Sequence, residues 1–279
     1  MNDNEVFWLA GLLEGEGSFL KPAPSEAGYP RVKISMSDYD VIQRVASLFE
    51  VNYIHTRTES RSVFWREIYD VQIKGSRAVQ LMQQLCPLMG ARRKEQIENA
   101  IGYQPATHAT PTAENSFSWL AGILEGEGSF LKGPPSAPNR PRIQLQMSDK
   151  DVIDKASRIL GVKTKGPYMP SRAKEHYKPR YVSSLRGKKA VEVMKHLHPL
   201  MGQRRQTQIT EAIVSFIPNC DYGDNHPQAK LNSEQVADIK RRIRRGEGTV
   251  ILAEEFGVDP GLIWQIKAGR IWQHIPWPS

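Results

Sequence analysis

The segment Trp8–Lys21, WLAGLLEGEGSFLK, returns at Trp119–Lys132 as WLAGILEGEGSFLK, 111 residues further on, and Leu12 to Ile123 is the sole change. Whatever one copy builds, the other builds too, so the chain must place two equivalent units in one molecule. Each copy has the apolar length of a helix. Its glycines, Gly11 and Gly15 or Gly122 and Gly126, allow a partner backbone to approach closely. Two such helices lying side by side would bring their Glu-Gly-Glu-Gly ends together, with Glu16 and Glu127 at the foot of the interface. Paired carboxylates there could share divalent ions that neither would hold well alone, and oxygen ligands suit Mg²⁺, with Mn²⁺ able to substitute. The competing reading is that Glu14, Glu16, Glu125 and Glu127 only solubilise helix ends.

The repetition extends beyond this motif. RVKISMSDYDVI at Arg31 matches RIQLQMSDKDVI at Arg142, and CPLMGARRKEQI at Cys86 matches HPLMGQRRQTQI at His198. Alternation in Arg31–Met36 and Arg142–Met147 predicts half-buried strands. The Ser-Asp that follows each strand can cap a helix near Asp38 or Asp149. Further strands are expected around Val51–Thr58, Trp65–Ile73, Gly161–Pro167 and Tyr181–Ser184, and helices over Ser76–Leu85, Gly90–Ile101, Lys188–Leu197 and Gln203–Ile217. The expected class is α/β in the α+β sense, with a first unit over 1–103, a linker over 104–115 and a second unit over 116–217. A second linker over 218–230 leads to an all-α module at 231–279. There Ser233 can cap a helix, and Thr249–Phe256, a turn at Gly257–Asp259 and Gly261–Lys267 have helix-turn-helix spacing.

The formal net charge of +8 favours an acidic partner, with nucleic acid foremost and an ordinary basic surface as the alternative. Cys86 and Cys220 form neither a disulfide framework nor a Cys-x-x-Cys pattern, and no stretch approaches a membrane span. A soluble, untargeted chain is therefore expected. It would act in the cytoplasm or at the nucleoid of a prokaryote or its phage, or in an organelle matrix if organelle-encoded.

Leu9–Gly17, LAGLLEGEG, and Leu120–Gly128, LAGILEGEG, resemble the signature of the LAGLIDADG homing endonucleases, and the resemblance covers roughly Glu5 to Phe216. It implies a single-chain, double-motif member: two pseudo-symmetric units, motif helices packed at the centre, and two saddle-shaped antiparallel sheets gripping double-stranded DNA. By motif position the metal-binding, catalytic acid falls on Glu16 and Glu127, and the preceding Glu14 and Glu125 would support helix ends. The basic active-site position falls on Arg92 and Arg204, where a guanidinium stabilises charge or positions water, being a poor proton acceptor. The implied activity is metal-dependent hydrolysis of both strands of a long asymmetric site by a monomer. An intron RNA maturase and a DNA-binding regulator are the alternatives with the same fold.

On the strand faces, Arg31, Lys33 and Ser35 correspond to Arg142, Gln144 and Gln146; arginine, lysine and glutamine there can hold phosphates or read base edges. Lys21, Arg57, Arg61, Arg66, Lys132, Lys163 and Lys165 add basic positions along the same sheets. In the C-terminal module, Arg241 and Arg242 of the run KRRIRR are candidate phosphate contacts, and Gln265 and Lys267 are candidate base or phosphate contacts on the recognition helix.

Overall fold

The motif folds as predicted: α1 spans Asp3–Glu16 and α5 spans Ala113–Glu127, and in both the residues from the tryptophan through Glu14 or Glu125 are buried. A helix that is apolar all round belongs in a core. Asn2 and Glu5 form a capping box at the start of α1, with Asn2 Oδ1 accepting from the Glu5 N–H at 2.9 Å. Thr112 accepts from the Asn115 N–H at 3.2 Å at the start of α5. Each helix runs directly into a strand. At that junction, a Cβ on Gly17 would lie 2.6 Å from the Leu13 carbonyl oxygen, and one on Gly128 would lie 2.5 Å from that of Leu124. Lack of space, and not an unusual dihedral, requires the final glycine of the motif.

The computed structural model describes residues 1–22, 28–59, 66–103, 112–169, 177–218, 224, 229–273 and 275–278. They divide into two units, Met1–Leu131 with Arg142–Glu211, and Lys132–Pro141 with Ala212–Ser279. The first unit contains both motifs. After α1 come β1 (Gly17–Leu20), β2 (Arg31–Met36), α2 (Tyr39–Leu48), β3 (His55–Glu59), β4 (Arg66–Lys74), α3 (Ser76–Leu85) and α4 (Ala91–Ile101). After α5 the series repeats as β5 (Gly128–Leu131), β6 (Arg142–Met147), α6 (Lys150–Ile159), β7 (Lys165–Tyr168), β8 (Arg180–Arg186), α7 (Lys188–Leu197) and α8 (Gln203–Val214). The antiparallel sheets have the orders β1-β2-β4-β3 and β5-β6-β8-β7.

Alternation sorts the strands by face. Val32, Ile34, Val71 and Ile73 in the first sheet, and Ile143, Leu145 and Leu185 in the second, are buried under the helices. Arg31, Lys33 and Ser35 pair with Lys74, Gln72 and Asp70 on the opposite face. The expected strands at Val51 and Gly161 begin later, at His55 and Lys165. Residues just after α2 and α6 are occupied in closing those helices: the Val51 N–H donates to the Ala46 carbonyl and that of Val162 to the Ser157 carbonyl, both at 2.9 Å. Glu50 and Gly161 take the positive φ (50° and 65°) that such a helix end requires.

The second unit contains α9 (Ser233–Arg244), α10 (Thr249–Glu255) and α11 (Pro260–Lys267). They enclose their own core of Leu231, Val236, Ile239, Leu252, Ala253, Ile263 and Ile266. Asn232, and not Ser233, caps α9. Its Oδ1 accepts from the Gln235 N–H at 2.8 Å while Gln235 Oε1 accepts from the Asn232 N–H at 2.9 Å, a capping box lying one residue earlier than expected.

Candidate active site and nucleic-acid interface

The site begins with how closely α1 and α5 approach. A Cβ on Gly11 would overlap the Trp119 carbonyl oxygen and lie 2.8 Å from the Ile123 nitrogen; one on Gly122 would overlap the Trp8 carbonyl and lie 2.7 Å from the Leu12 nitrogen. The helices therefore touch backbone to backbone. One turn on, a Cβ on Gly15 would lie 2.9 Å from Glu127 Cγ, and one on Gly126 would lie 2.9 Å from Glu16 Cγ. Each glutamate thus rests over the other helix's glycine, and the spacing of the motif brings Glu16 and Glu127 together at one end of the interface. Burial and then the neighbouring Glu127 charge raise the pKa of Glu16, opposed by Arg204, Arg205 and Arg93.

Glu14 and Glu125 are fully buried and do other work. Glu14 Oε2 accepts from the Gly90 N–H at 2.6 Å, and Glu125 Oε2 accepts from the Gly202 N–H at 2.7 Å. These bonds satisfy first-turn donors of α4 and α8, whose own first turns carry no acid. Desolvation raises the pKa of both carboxyls despite these bonds.

The repeated Ser-Asp-x-Asp and Met-Gly-x-Arg-Arg segments form latches between the halves. Asp38 and Asp149 occupy the cap positions of α2 and α6 but make no side-chain cap hydrogen bond. The local capping expected of them gives way to arginines from the opposite repeat. Arg204 Nε donates to Asp38 Oδ2 at 2.8 Å and its Nη2 to the same oxygen at 2.6 Å, while Arg92 Nε donates to Asp149 Oδ2 at 2.7 Å. Two residues further on, Asp40 accepts from the Gln203 N–H and Asp151 from the Ala91 N–H, both at 2.7 Å. Arg44 Nη1 reaches the Leu200 carbonyl at 3.0 Å and Lys155 Nζ that of Leu88 at 2.8 Å, and these cations lie over the Trp8 and Trp119 rings at 3.7 and 3.9 Å. Burial lowers the pKa of Lys155 to about 8.

The second arginine of each pair turns inward. Arg93 donates from Nε to the Glu14 carbonyl at 2.9 Å and from Nη2 to that of Gly15 at 2.8 Å; Arg205 repeats this with Glu125 and Gly126 at 3.0 and 2.9 Å. They satisfy terminal carbonyls of the motif helices. This leaves Arg92 and Arg204 as the more exposed pair, with side chains 35 and 42% accessible. Beside Glu127, an open cavity of about 610 Å³ is also lined by Gln146, Tyr177, Lys178 and Arg180. Gln146 is one of the strand-face residues singled out from the sequence. Lys178 and Arg180 were not singled out from the sequence, because no motif shared by the two repeats marks the residues around them.

The remaining sequence-predicted residues fall on the sheets or just beyond them. Arg31, Lys33, Ser35 and Arg57 share one face of the first sheet, where Ser35 Oγ donates to Asp70 in a short hydrogen bond. Arg142, Gln144, Gln146 and Lys165 share the corresponding face of the second. Lys21, Lys132 and Lys163 are exposed beside strands, Arg66 opens β4, and Arg61 lies outside the described residues.

In the C-terminal unit, Arg241, Gln265 and Lys267 are exposed. Arg242 has another set of partners: it donates to Glu247 at 2.9 Å and to both Glu255 oxygens at 2.7 and 2.6 Å, tying α9 to α10. Lys240, read within a phosphate-facing run, is 1% exposed and donates to the Trp272 and Ile275 carbonyls at 2.9 and 2.6 Å. Its place at a core-facing helix position explains the difference. Trp264 is 49% exposed, with Arg270 stacked 4.6 Å from its ring centre.

A doubled motif whose helices meet at the centre, each followed by a four-stranded antiparallel sheet, is the architecture that the LAGLIDADG resemblance implies. No family model matches the chain, and no curated protein matches it. Similar solved structures include the LAGLIDADG homing endonuclease I-SmaMI bound to cleaved DNA, at 12% identity and a TM-score of 0.48, covering 82% of this chain and 93% of that one. The LAGLIDADG meganuclease I-AabMI bound to uncleaved DNA is similar at 14% identity and 0.48, over 77% of this chain and 90% of that one. I-LtrWI bound to its target DNA is similar at 10% identity and 0.41, over 81% and 100%. Among the described residues no helix is long and apolar enough to cross a membrane.

Proposed function

We propose that this chain is a site-specific double-stranded DNA endonuclease of the LAGLIDADG homing type, acting as a monomer on a long asymmetric target. The observation that carries this reading is the meeting of Glu16 and Glu127 over each other's glycines, between two sheets whose outer faces carry arginine, lysine and glutamine. Two carboxylates pressed together raise the cost of charging Glu16, and a cation between them would reverse that cost. The donors are hard oxygens, which fit Mg²⁺ and also Mn²⁺. Among the described residues no group of three or more His, Cys, Asp or Glu side chains is arranged for a metal. Glu16 and Glu127 would therefore hold such an ion together with oxygens from phosphate and water. When bound, it supplies Lewis-acid polarisation at the scissile phosphate.

The protein's own groups provide the remainder. Arg92 and Arg204, oriented by Asp149 and Asp38, stabilise charge developing on phosphate oxygens. The sheet faces position the duplex and read it, and the exposed face of α11 adds contacts through Gln265 and Lys267. The test is cleavage of a selected duplex with Mg²⁺ by the full chain, Glu16→Gln and Glu127→Gln. Each variant is expected to keep its circular dichroism and most of its DNA affinity while losing strand scission on the order of 100-fold or more. Normal cleavage by both variants would sink the assignment. A wild-type chain that binds nucleic acid but cuts no duplex would instead be an RNA maturase or a regulator.

A further inference from the structure

The outer face of the first sheet carries a buried acid where a DNA-facing surface would be expected to avoid one. Asp70 lies mid-strand in β4, with its side chain 10% exposed, facing Ser35 on β2 and His55 on β3. Ser35 Oγ donates to Oδ1, where Lys33 Nζ lies at 3.4 Å; Arg57 Nε lies 3.2 Å from Oδ2 and His55 Nδ1 3.7 Å. Asp70, Lys33, His55 and Arg57 border a groove of about 800 Å³ that Tyr53 and Gln72 also line. The corresponding place in the second sheet is Val182, paired with Gln146 and Lys165. The pseudo-symmetry of the fold therefore breaks at its charge centre.

An anion on a phosphate-facing sheet weakens nonspecific binding, since every duplex brings negative charge to it. Its compensating effect is order. A long lysine or arginine side chain free to move takes whichever phosphate or base edge is near, whereas one held at its nitrogen by a carboxylate presents its remaining donors in a fixed direction.

Building on the endonuclease reading, we infer that Asp70 is a specificity-determining positioning residue. It pre-orients Lys33 and Arg57, with Ser35, toward major-groove edges rich in acceptors, such as those of guanine, under the first sheet. Val182 leaves the second sheet to read through Gln144 and Gln146. The two half-sites are then chemically unlike: the first is selected by oriented cations, the second by amides. Burial opposes the charge on Asp70, but the Ser35 hydrogen bond and the Lys33 and Arg57 cations outweigh it and lower the Asp70 pKa, so the hub is an anion at neutral pH.

The experiment selects bound duplexes from a randomised library with the full chain, Asp70→Asn and Asp70→Glu, and measures affinity for the wild-type target and for unrelated DNA. Asp70→Asn removes the charge and keeps the shape; it is expected to bind unrelated DNA several-fold more tightly and to lose roughly fivefold or more of its discrimination at the base pairs under the first sheet. Discrimination under the second sheet stays unchanged. Asp70→Glu keeps the charge but displaces it, so unrelated DNA binds as before while the same base pairs lose selectivity. Circular dichroism establishes folding, and the glutamate variant carries the test if the asparagine variant misfolds. Unaltered preference under the first sheet in a folded variant overturns the inference and leaves the endonuclease reading standing. A wild-type chain that enriches no sequence overturns both.

Discussion

Arg92 and Arg93, like Arg204 and Arg205, are neighbours in sequence with opposite surroundings. The buried member holds helix-end carbonyls, while the more exposed member is held by an aspartate from the other repeat. Arg92→Ala and Arg204→Ala should therefore lower single-turnover cleavage by about tenfold or more while changing ground-state DNA affinity less, as expected for a group that acts on developing charge. Equal losses in rate and affinity would reduce both to phosphate contacts. Lys155 gives a prediction that needs no DNA. Burial holds its pKa at about 8 against an ordinary value of 10.5, so between these values the unfolded chain binds a proton that the folded chain does not. Stability gained from this residue therefore rises as pH increases from 8 to 10.5, and its full cost is present below 8. Denaturant unfolding of Lys155→Met beside the wild type should show their difference changing by on the order of 2–3 kcal/mol across that window. Parallel pH profiles would rule out the buried ammonium as the cause.

At the scale of the element, α1 and α5 depend on four glycines, and sequence could reveal why. Gly11 and Gly122 recur at identical places in an apolar run, so close approach was legible; each meets a backbone carbonyl that has no freedom to retreat. Gly11→Ala or Gly122→Ala should cost about 3 kcal/mol or more, the upper range of overpacking, measured as a shift in urea midpoint, and a change below 1 kcal/mol would contradict the packing. Strand faces were legible in the same way, because Val32, Ile34, Ile143 and Leu145 alternate with polar residues. The latches were not. Asp38 and Asp149 precede helices in the manner of local caps, and nothing in the nearby sequence shows that an arginine 166 or 57 residues away will take the carboxylate. Asp70 was hidden for a related reason: its partners come from two other strands, and the repeat offers Val182 where a second acid would have signalled a site. Arg242 and Lys240 show the converse, since a basic run looks uniform until helix geometry assigns each residue to the core, to an ion pair or to the surface.

For the whole molecule, the C-terminal unit has its own core and a helix exposing Gln265 and Lys267, consistent with an accessory grip on DNA. Removing Leu231–Ser279 should leave Mg²⁺-dependent scission intact while shortening the footprint and weakening binding, more so as salt rises. An unchanged footprint and selectivity in a folded truncation would make the unit a structural tail. The latches carry a different consequence, for engineering. Each repeat contributes both sides of the same fastening: Asp38 and Asp40 with Arg92 and Ala91 in the first, Asp149 and Asp151 with Arg204 and Gln203 in the second. A single repeat thus contains the complementary parts of a symmetric pair, as an isologous dimer would need. Halves from different fused pairs should be exchangeable wherever these four fastening positions and the central glycines are kept.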